Sequence, residues 1–201
     1  MAWLLAHKLE MTRIVKWNEF VPITLLKVPV IKVVAVKTEE TDGYNAIVLW
    51  ILRDGKEGKL KEGRKTLSLN EFSRIKELIV ESSDLEKFNA GDDVTLDALE
   101  WIEKVSFYSF SKWRWFAWAM KRHNFHGWLK THGSKFHRAL GSIGNRKPTR
   151  THKGKKMHGH YWNVKISLRD VPLELVNKDL WVIGIRWPIP GWRNSLVVIN
   201  F

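Results

Sequence analysis

Short apolar runs rich in β-branched residues, at 14–15, 21–28, 31–36 and 46–52, are separated by turn signals and predict a series of short strands. Between the last two runs, Thr41-Asp42-Gly43-Tyr44 reads as a hairpin turn, because Asp-Gly supplies the positive φ that a tight reversal needs. The pattern then changes once. Ser68-Leu69-Asn70-Glu71 resembles a capping box, and Phe72, Ile75, Leu78 and Ile79 follow at helical spacing, which predicts one helix with a single buried stripe. Strand structure is expected again at 94–99. Near the C-terminus Val164, Ile166 and Leu168 alternate with polar neighbours, and the runs 182–185 and 196–199 are bounded by Pro and Gly. The two ends of the chain therefore predict one mainly β body.

Between those ends the alternation fades, and charge becomes the informative pattern. From Lys104 to Arg169 there is no Asp or Glu, yet the stretch holds 16 of the 34 Lys and Arg. The remainder has 18 basic residues against 21 acidic ones, so the formal net charge of +13 comes entirely from the acid-free stretch. His123, His126, His132, His137, His152, His158 and His160 also fall within it, interleaved with Gly and aromatic residues. Without apolar periodicity the central part cannot build a core of its own, so it is expected to be an insertion between strands that folds on a partner. Cations on a glycine-rich loop point to nucleic-acid phosphates, since each docked cation releases condensed counterions. Carboxylates are unwelcome there, being desolvated and repelled by phosphate.

Composition narrows the alternatives. A chain of 201 residues with 44% apolar content can bury one sizeable core. No apolar run approaches the length of a membrane helix, and the opening Met-Ala-Trp-Leu-Leu-Ala is too short for a signal-peptide core, so a cytoplasmic location is expected. The absence of Cys removes disulfides, thiolate zinc sites and cysteine nucleophiles. The close pairs His123/His126 and His158/His160 invite a metal, but structural zinc sites lean on thiolates, so no metal and no cofactor are expected. Imidazole with lysine could in principle cleave RNA, yet no carboxylate is at hand to orient an imidazole, and no enzyme activity is expected. A nucleoid-type or membrane-surface cationic protein is a third class, opposed by the slightly acidic remainder of the chain.

Several segments together carry a resemblance: Lys8-Leu9-Glu10-Met11-Thr12-Arg13-Ile14, Lys37-Thr38-Glu39-Glu40-Thr41-Asp42-Gly43-Tyr44-Asn45-Ala46, Met120-Lys121-Arg122-His123-Asn124-Phe125, His132-Gly133-Ser134-Lys135-Phe136-His137-Arg138, Gly141-Ser142-Ile143-Gly144 and Lys153-Gly154-Lys155-Lys156-Met157. In this order they resemble the universal large-subunit ribosomal protein three family, in its bacterial form, over nearly the whole chain. The resemblance implies a mainly β fold: a β-barrel body of the translation-protein type from residues 1–104 and 163–201, with one or two short helices. It implies a long, irregular basic loop at 105–162 that enters folded large-subunit ribosomal RNA toward the peptidyl-transferase centre. The implied role is structural: direct binding of that RNA, early nucleation of subunit assembly, neighbouring ribosomal proteins as further partners, and no homo-oligomer. The RNA-binding residues expected on this reading are Lys112, Arg114, Lys121, Arg122, His123, Phe125, Lys135, Phe136, His137, Arg138, Arg146, Lys147, Arg150, Lys153, Lys155 and Lys156. The rings and imidazoles among them suit base stacking or 2′-hydroxyl contacts.

Departures from the family pattern are concentrated in one residue type. The family signature Ser/Thr-x-Gly-basic-Gly-x-x-Gly-x-x-x-Arg stands here as Ser111-Lys112-Trp113-Arg114-Trp115-Phe116-Ala117-Trp118, closed by Arg122. Three family glycines are three tryptophans, and the same exchange occurs at Trp3, Trp17, Trp50, Trp128, Trp162 and Trp187. Trp101, Trp181 and Trp192 match the pattern less firmly. Gly serves where φ is positive or a backbone must touch its partner, which an indole does not replace. The exchange implies that the gene uses UGA for glycine and is read here with a table that gives tryptophan. The alternative is a non-ribosomal single-stranded RNA-binding protein whose tryptophans form a stacking platform for unpaired bases. Glu10, Leu140 and Ser106 are smaller departures.

Overall fold

The computed structural model describes residues 3–52, 72–85 and 88–201. The strands are β1 (Trp3–Lys16), β2 (Glu19–Lys27), β3 (Ile31–Lys37), β4 (Ala46–Leu52), β5 (Phe72–Ile79), β6 (Lys104–Phe110), β7 (Arg114–Ala117), β8 (Gly159–Tyr161), β9 (Lys165–Asn177), β10 (Val182–Arg186) and β11 (Leu196–Asn200). Three single-turn helices, α1 (Glu39–Asp42), α2 (Ser82–Leu85) and α3 (Ala119–His123), complete the elements used below. By its internal packing the chain divides into a body, Met1–Phe110 with Lys165–Phe201, and a second unit, Ser111–Val164. β6 thus carries the body strand on to Phe110, past the boundary expected near residue 104.

In the body, β1, β11, β6, β9, β10 and β2 follow one another in a closed barrel, and β3, β4 and β5 form a separate antiparallel sheet. Alternation explains which face each strand buries. In β4, Ile47, Leu49 and Ile51 point inward, as do Ile31 and Val33 of β3. These side chains share one apolar cluster with Leu4, Leu5, Leu26, Phe107, Ile183, Ile185 and Ile199 of the barrel. The barrel and the sheet therefore have a common core.

The hairpin predicted at 41–44 joins β3 to β4, with Lys37 opposite Ala46. The reversal is made by α1, and Gly43 caps it at φ 81°, where its N–H donates to Glu39 O at 3.0 Å. Glycine is required there because an L side chain disfavours this left-handed cap.

Two expectations are corrected. Residues 72–79 are not a helix: they form β5, antiparallel to β4 from Ala46–Ile79 to Leu52–Phe72. Phe72, Ile75, Leu78 and Ile79 satisfy helical spacing, but the ladder with β4 offers Leu78 and then Val80 a place in the core and leaves Ile75 and Ile79 exposed. Packing outweighs the local helical pattern. The capping box at 68–71 lies outside the described residues. At 94–99 there is no strand either; an isolated bridge from Asp93 to Lys32 is followed by a 3-10 turn at Asp97–Leu99. Leu96 and Leu99, three residues apart, are both buried by that turn, which an extended segment would have pointed to opposite faces.

Three tryptophans of the body occupy glycine-type backbone positions. β1 and β2 are joined by the two residues Trp17 and Asn18, at φ 52° and 63°, so that Lys16 faces Glu19. Positive φ at both centres marks a primed hairpin turn, for which Asn and Gly are the usual residues. Trp181, at φ 53°, closes the β9–β10 connection, and Trp187 stands at φ 70° immediately before Pro188. No tryptophan among the described residues belongs to the buried core. Among the described residues, no helix is long and apolar enough to cross a membrane.

Candidate nucleic-acid interface

The unit Ser111–Val164 lies wholly within the acid-free stretch. Its two ends are tied by backbone and hydroxyl: Ser111 N–H donates to Val164 O at 2.9 Å, and Val164 N–H donates to Ser111 Oγ at 3.1 Å. β7 and β8 then pair antiparallel, with Arg114 opposite Tyr161 and Ala117 opposite Gly159. α3 follows. Its last turn holds Lys121 and Arg122, cations suited to the negative end of a helix, with His123 beside them, and Asn124 stops it at φ 57°. Among the described residues of this unit only Ala117 and Ala119 are buried. The small core explains why apolar periodicity is missing from the sequence here.

Hydrogen bonds to carbonyls take the place of a core. Arg122 Nη1 donates to Met157 O at 2.9 Å, and His123 Nε2 lies 3.1 Å from the same oxygen. His160 Nδ1 is 2.6 Å from Trp115 O. Further along, Trp128 N–H donates to His137 O at 3.0 Å, while His137 Nδ1 lies 3.0 Å from Leu129 O, so residues 127–129 and 137–139 are held together. Around β7 and β8 the rings gather: Trp113 stacks on Trp162 at 5.7 Å and His160 on Trp162 at 4.2 Å.

The sixteen expected RNA-binding residues all lie in this unit, and they sort into two groups. Lys112, Lys121, Lys135, Arg138, Arg146, Lys147, Arg150, Lys153, Lys155 and Lys156 are exposed, as is Phe136. The half-buried members are Arg114, Arg122, His123, Phe125 and His137. Arg114 lies over the Tyr161 ring at 6.0 Å, Phe125 sits 6.2 Å from the His123 ring, and Phe136 meets Trp128 edge-on. Lys130, also exposed, shares the setting of the first group and is missing from the expected set, although the acid-free run contains it. The histidine-to-carbonyl bonds have no sequence signal at all, since any residue supplies a carbonyl.

Among the described residues no three His, Asp or Glu side chains are placed to hold a metal ion. Chemically the unit offers a field of exposed positive charge, with no carboxylate of its own, on a frame of backbone hydrogen bonds.

No family model matches the chain. Curated proteins do. The chain is 38% identical over 202 residues to a protein of Thermosipho melanesiensis called large ribosomal subunit protein uL3, covering 100% of this chain and 98% of that one. Proteins of the same name from Fervidobacterium nodosum and Borrelia hermsii are 35% and 34% identical, with 100% of this chain and 98% and 97% of theirs covered. With full-length matches at this level, a β body and a basic, acid-free excursion between β6 and β9, the chain belongs to the uL3 family of large ribosomal subunit proteins.

Proposed function

We propose that the chain is a structural constituent of the large ribosomal subunit, located on the ribosome in the cytoplasm. Its body anchors it, and the acid-free arm binds large-subunit ribosomal RNA. The named relatives support the first part. The second is carried by one observation: Lys121, Lys135, Arg138, Lys153, Lys155 and Lys156 are exposed in a unit without a single carboxylate, so their counterions come from outside that unit. By family resemblance the arm reaches toward the peptidyl-transferase centre, and the protein binds early in subunit assembly beside neighbouring ribosomal proteins. The role is architectural rather than catalytic.

Titrating full-length protein against purified large-subunit ribosomal RNA across a salt series tests this reading. With roughly six to ten phosphate contacts, the affinity falls by about three to five orders of magnitude between 50 and 200 mM salt. Replacing Lys153, Lys155 and Lys156 with Gln lowers the slope of log affinity against log salt by about 0.7 to 0.9 for each charge removed. A flat salt response, or equal affinity for duplex DNA, sinks the proposal.

We also propose that the natural protein carries Gly where Trp stands here at the family's glycine positions. Trp17, Trp181 and Trp187 at positive φ support that reading without reference to the family. So does the Trp3 indole, whose N–H is buried without a hydrogen-bond partner. Mutual stacking of Trp113, Trp162 and His160 also leaves fewer free ring faces than a base-binding platform needs. Mass spectrometry of the protein from its native ribosome decides: indole at Trp113, Trp115 and Trp118 removes the idea.

A further inference from the structure

Two basic side chains at the end of α3 aim at one backbone oxygen, that of Met157, more than thirty residues further along the chain. A carbonyl oxygen has two lone pairs and accepts both bonds. Gly159 leaves room for the Arg122 guanidinium. A Cβ at this position would lie 2.9 Å from Arg122 Nη1, and the backbone there has φ +154°, which L side chains rarely adopt. On the other side of the β7–β8 pair, His160 repeats the device on Trp115 O. In a segment without carboxylates, carbonyls are the strong acceptors left, and a guanidinium bonded to one makes a stronger link than a neutral donor does.

We infer that Arg122 and His123 are positioning residues: they close the base of the arm through Met157 O before RNA arrives, and they are not phosphate ligands. The arm is then divided in function. Residues 111–124 and 157–164 form a preordered root, and the exposed lysines and arginines beyond it meet the phosphates. Preordering the root lowers the ordering entropy that a wholly disordered loop would lose on binding. The inference deepens the ribosomal reading and rests on it only for the RNA measurement below.

The test uses the full-length protein and two readouts, amide hydrogen exchange in the absence of RNA and salt-dependent affinity for purified large-subunit ribosomal RNA. In the wild type, the Ser111 amide and the amides paired across β7 and β8 exchange slowly. Arg122→Lys keeps the charge but loses the planar fork. It speeds exchange at these amides by about ten- to a hundredfold, the range that a lost hydrogen bond to a charged group covers. Barrel amides stay unchanged, and RNA affinity falls while the salt slope does not move. Gly159→Ala, which alters no charged group, gives the same pattern. Lys153→Gln with Lys155→Gln gives the reverse: unchanged exchange and a shallower slope.

The inference is overturned if the wild-type root exchanges like unstructured chain. It is also overturned if Arg122→Lys leaves exchange and affinity intact while Arg122→Gln lowers the slope by about one, the mark of a phosphate contact. Slow root exchange without salt-dependent RNA retention would instead defeat the ribosomal reading and leave the clamp standing.

Discussion

In the body, cations are neutralised by carboxylates. Lys16 and Arg186 share Glu174, whose side chain is 4% exposed, at 2.8 and 3.7 Å, and Lys178 bridges Asp97 and Glu100. Lys37 pairs with Glu77 and Lys32 with Asp93. In the arm, Arg122 and His160 reach carbonyl oxygens, and the segment supplies no carboxylate of its own. Burial divides the same way: among the described residues, all buried apolar side chains but Ala117 and Ala119 belong to the body. The contrast separates two jobs. A body with a large core and cancelled charge holds itself together by burial, whereas an arm with little core keeps its positive charge for an external polyanion.

The largest effect that could break this division comes from deleting residues 112–160. The truncated protein should unfold cooperatively with the barrel core intact, and its affinity for large-subunit ribosomal RNA should drop by roughly a thousandfold or more at moderate salt. If truncated bodies still enter fully active subunits, the division is wrong. Next in size is Leu49→Ala, which empties a fully buried position of the shared core. Denaturant unfolding should show a loss of about 2–5 kcal/mol. The matching truncation in the arm, Phe125→Ala at a half-buried site, should leave the body's unfolding midpoint in place.

These effects also mark what the sequence reveals. β2, β3, β4, β10 and β11 are legible because β-branched residues recur between turn signals, and the buried strands do not compete with another period. β5 is not, because Phe72, Ile75, Leu78 and Ile79 follow helical spacing and only the ladder with β4 overrides it. Barrel closure is likewise invisible locally, since β1 pairs with β11 across nearly the whole chain and β6 with β9 across the entire arm. The arm's charge is read directly from letters. Its frame is not, because Met157 O, Trp115 O and Leu129 O are backbone acceptors that leave no trace in residue type. Trp17 and Trp187 stand out as glycine sites by resemblance, and Trp181 only through its φ of 53°.

A smaller effect sharpens the reading of the tryptophans within the body. Trp17 and Trp101 are each 91% exposed, so neither indole contributes appreciable burial, but only Trp17 has positive φ. Relief of the left-handed penalty, about 1–2 kcal/mol for a residue with a Cβ, is partly offset by the greater freedom of Gly in the unfolded chain. Trp17→Gly should therefore raise body stability by about 0.5–1 kcal/mol, while Trp101→Gly should leave it unchanged or lower it. Equal responses at the two sites would show that the hairpin does not demand glycine.

The smallest effect separates body from arm by acid. The Tyr44 hydroxyl, and after it Lys37, hold Glu77 below the usual carboxylate range, and Lys178 does the same for Asp97. A lowered folded-state pKa means that the unfolded chain binds more protons in acid. The stability these groups add is complete above the ordinary carboxylate values near 4 and is lost as pH falls through the depressed ones. Their partners Lys37 and Lys178 are raised, chiefly by the bonds to Tyr44 and Asp97 respectively, so that contribution is lost only in strong alkali. All four groups are solvent-facing, which keeps the change small and sensitive to salt. Between about pH 5 and 2, the denaturation midpoint of the body should fall, and Glu77→Gln together with Asp97→Asn should flatten that fall. Exchange protection across β7 and β8, corrected for the intrinsic pH dependence of exchange, should stay level over the same interval, because the arm has no carboxylate to protonate. A parallel loss in both units would mean that the arm's frame depends on the body's ion pairs, and the separation argued from their chemistry would fail.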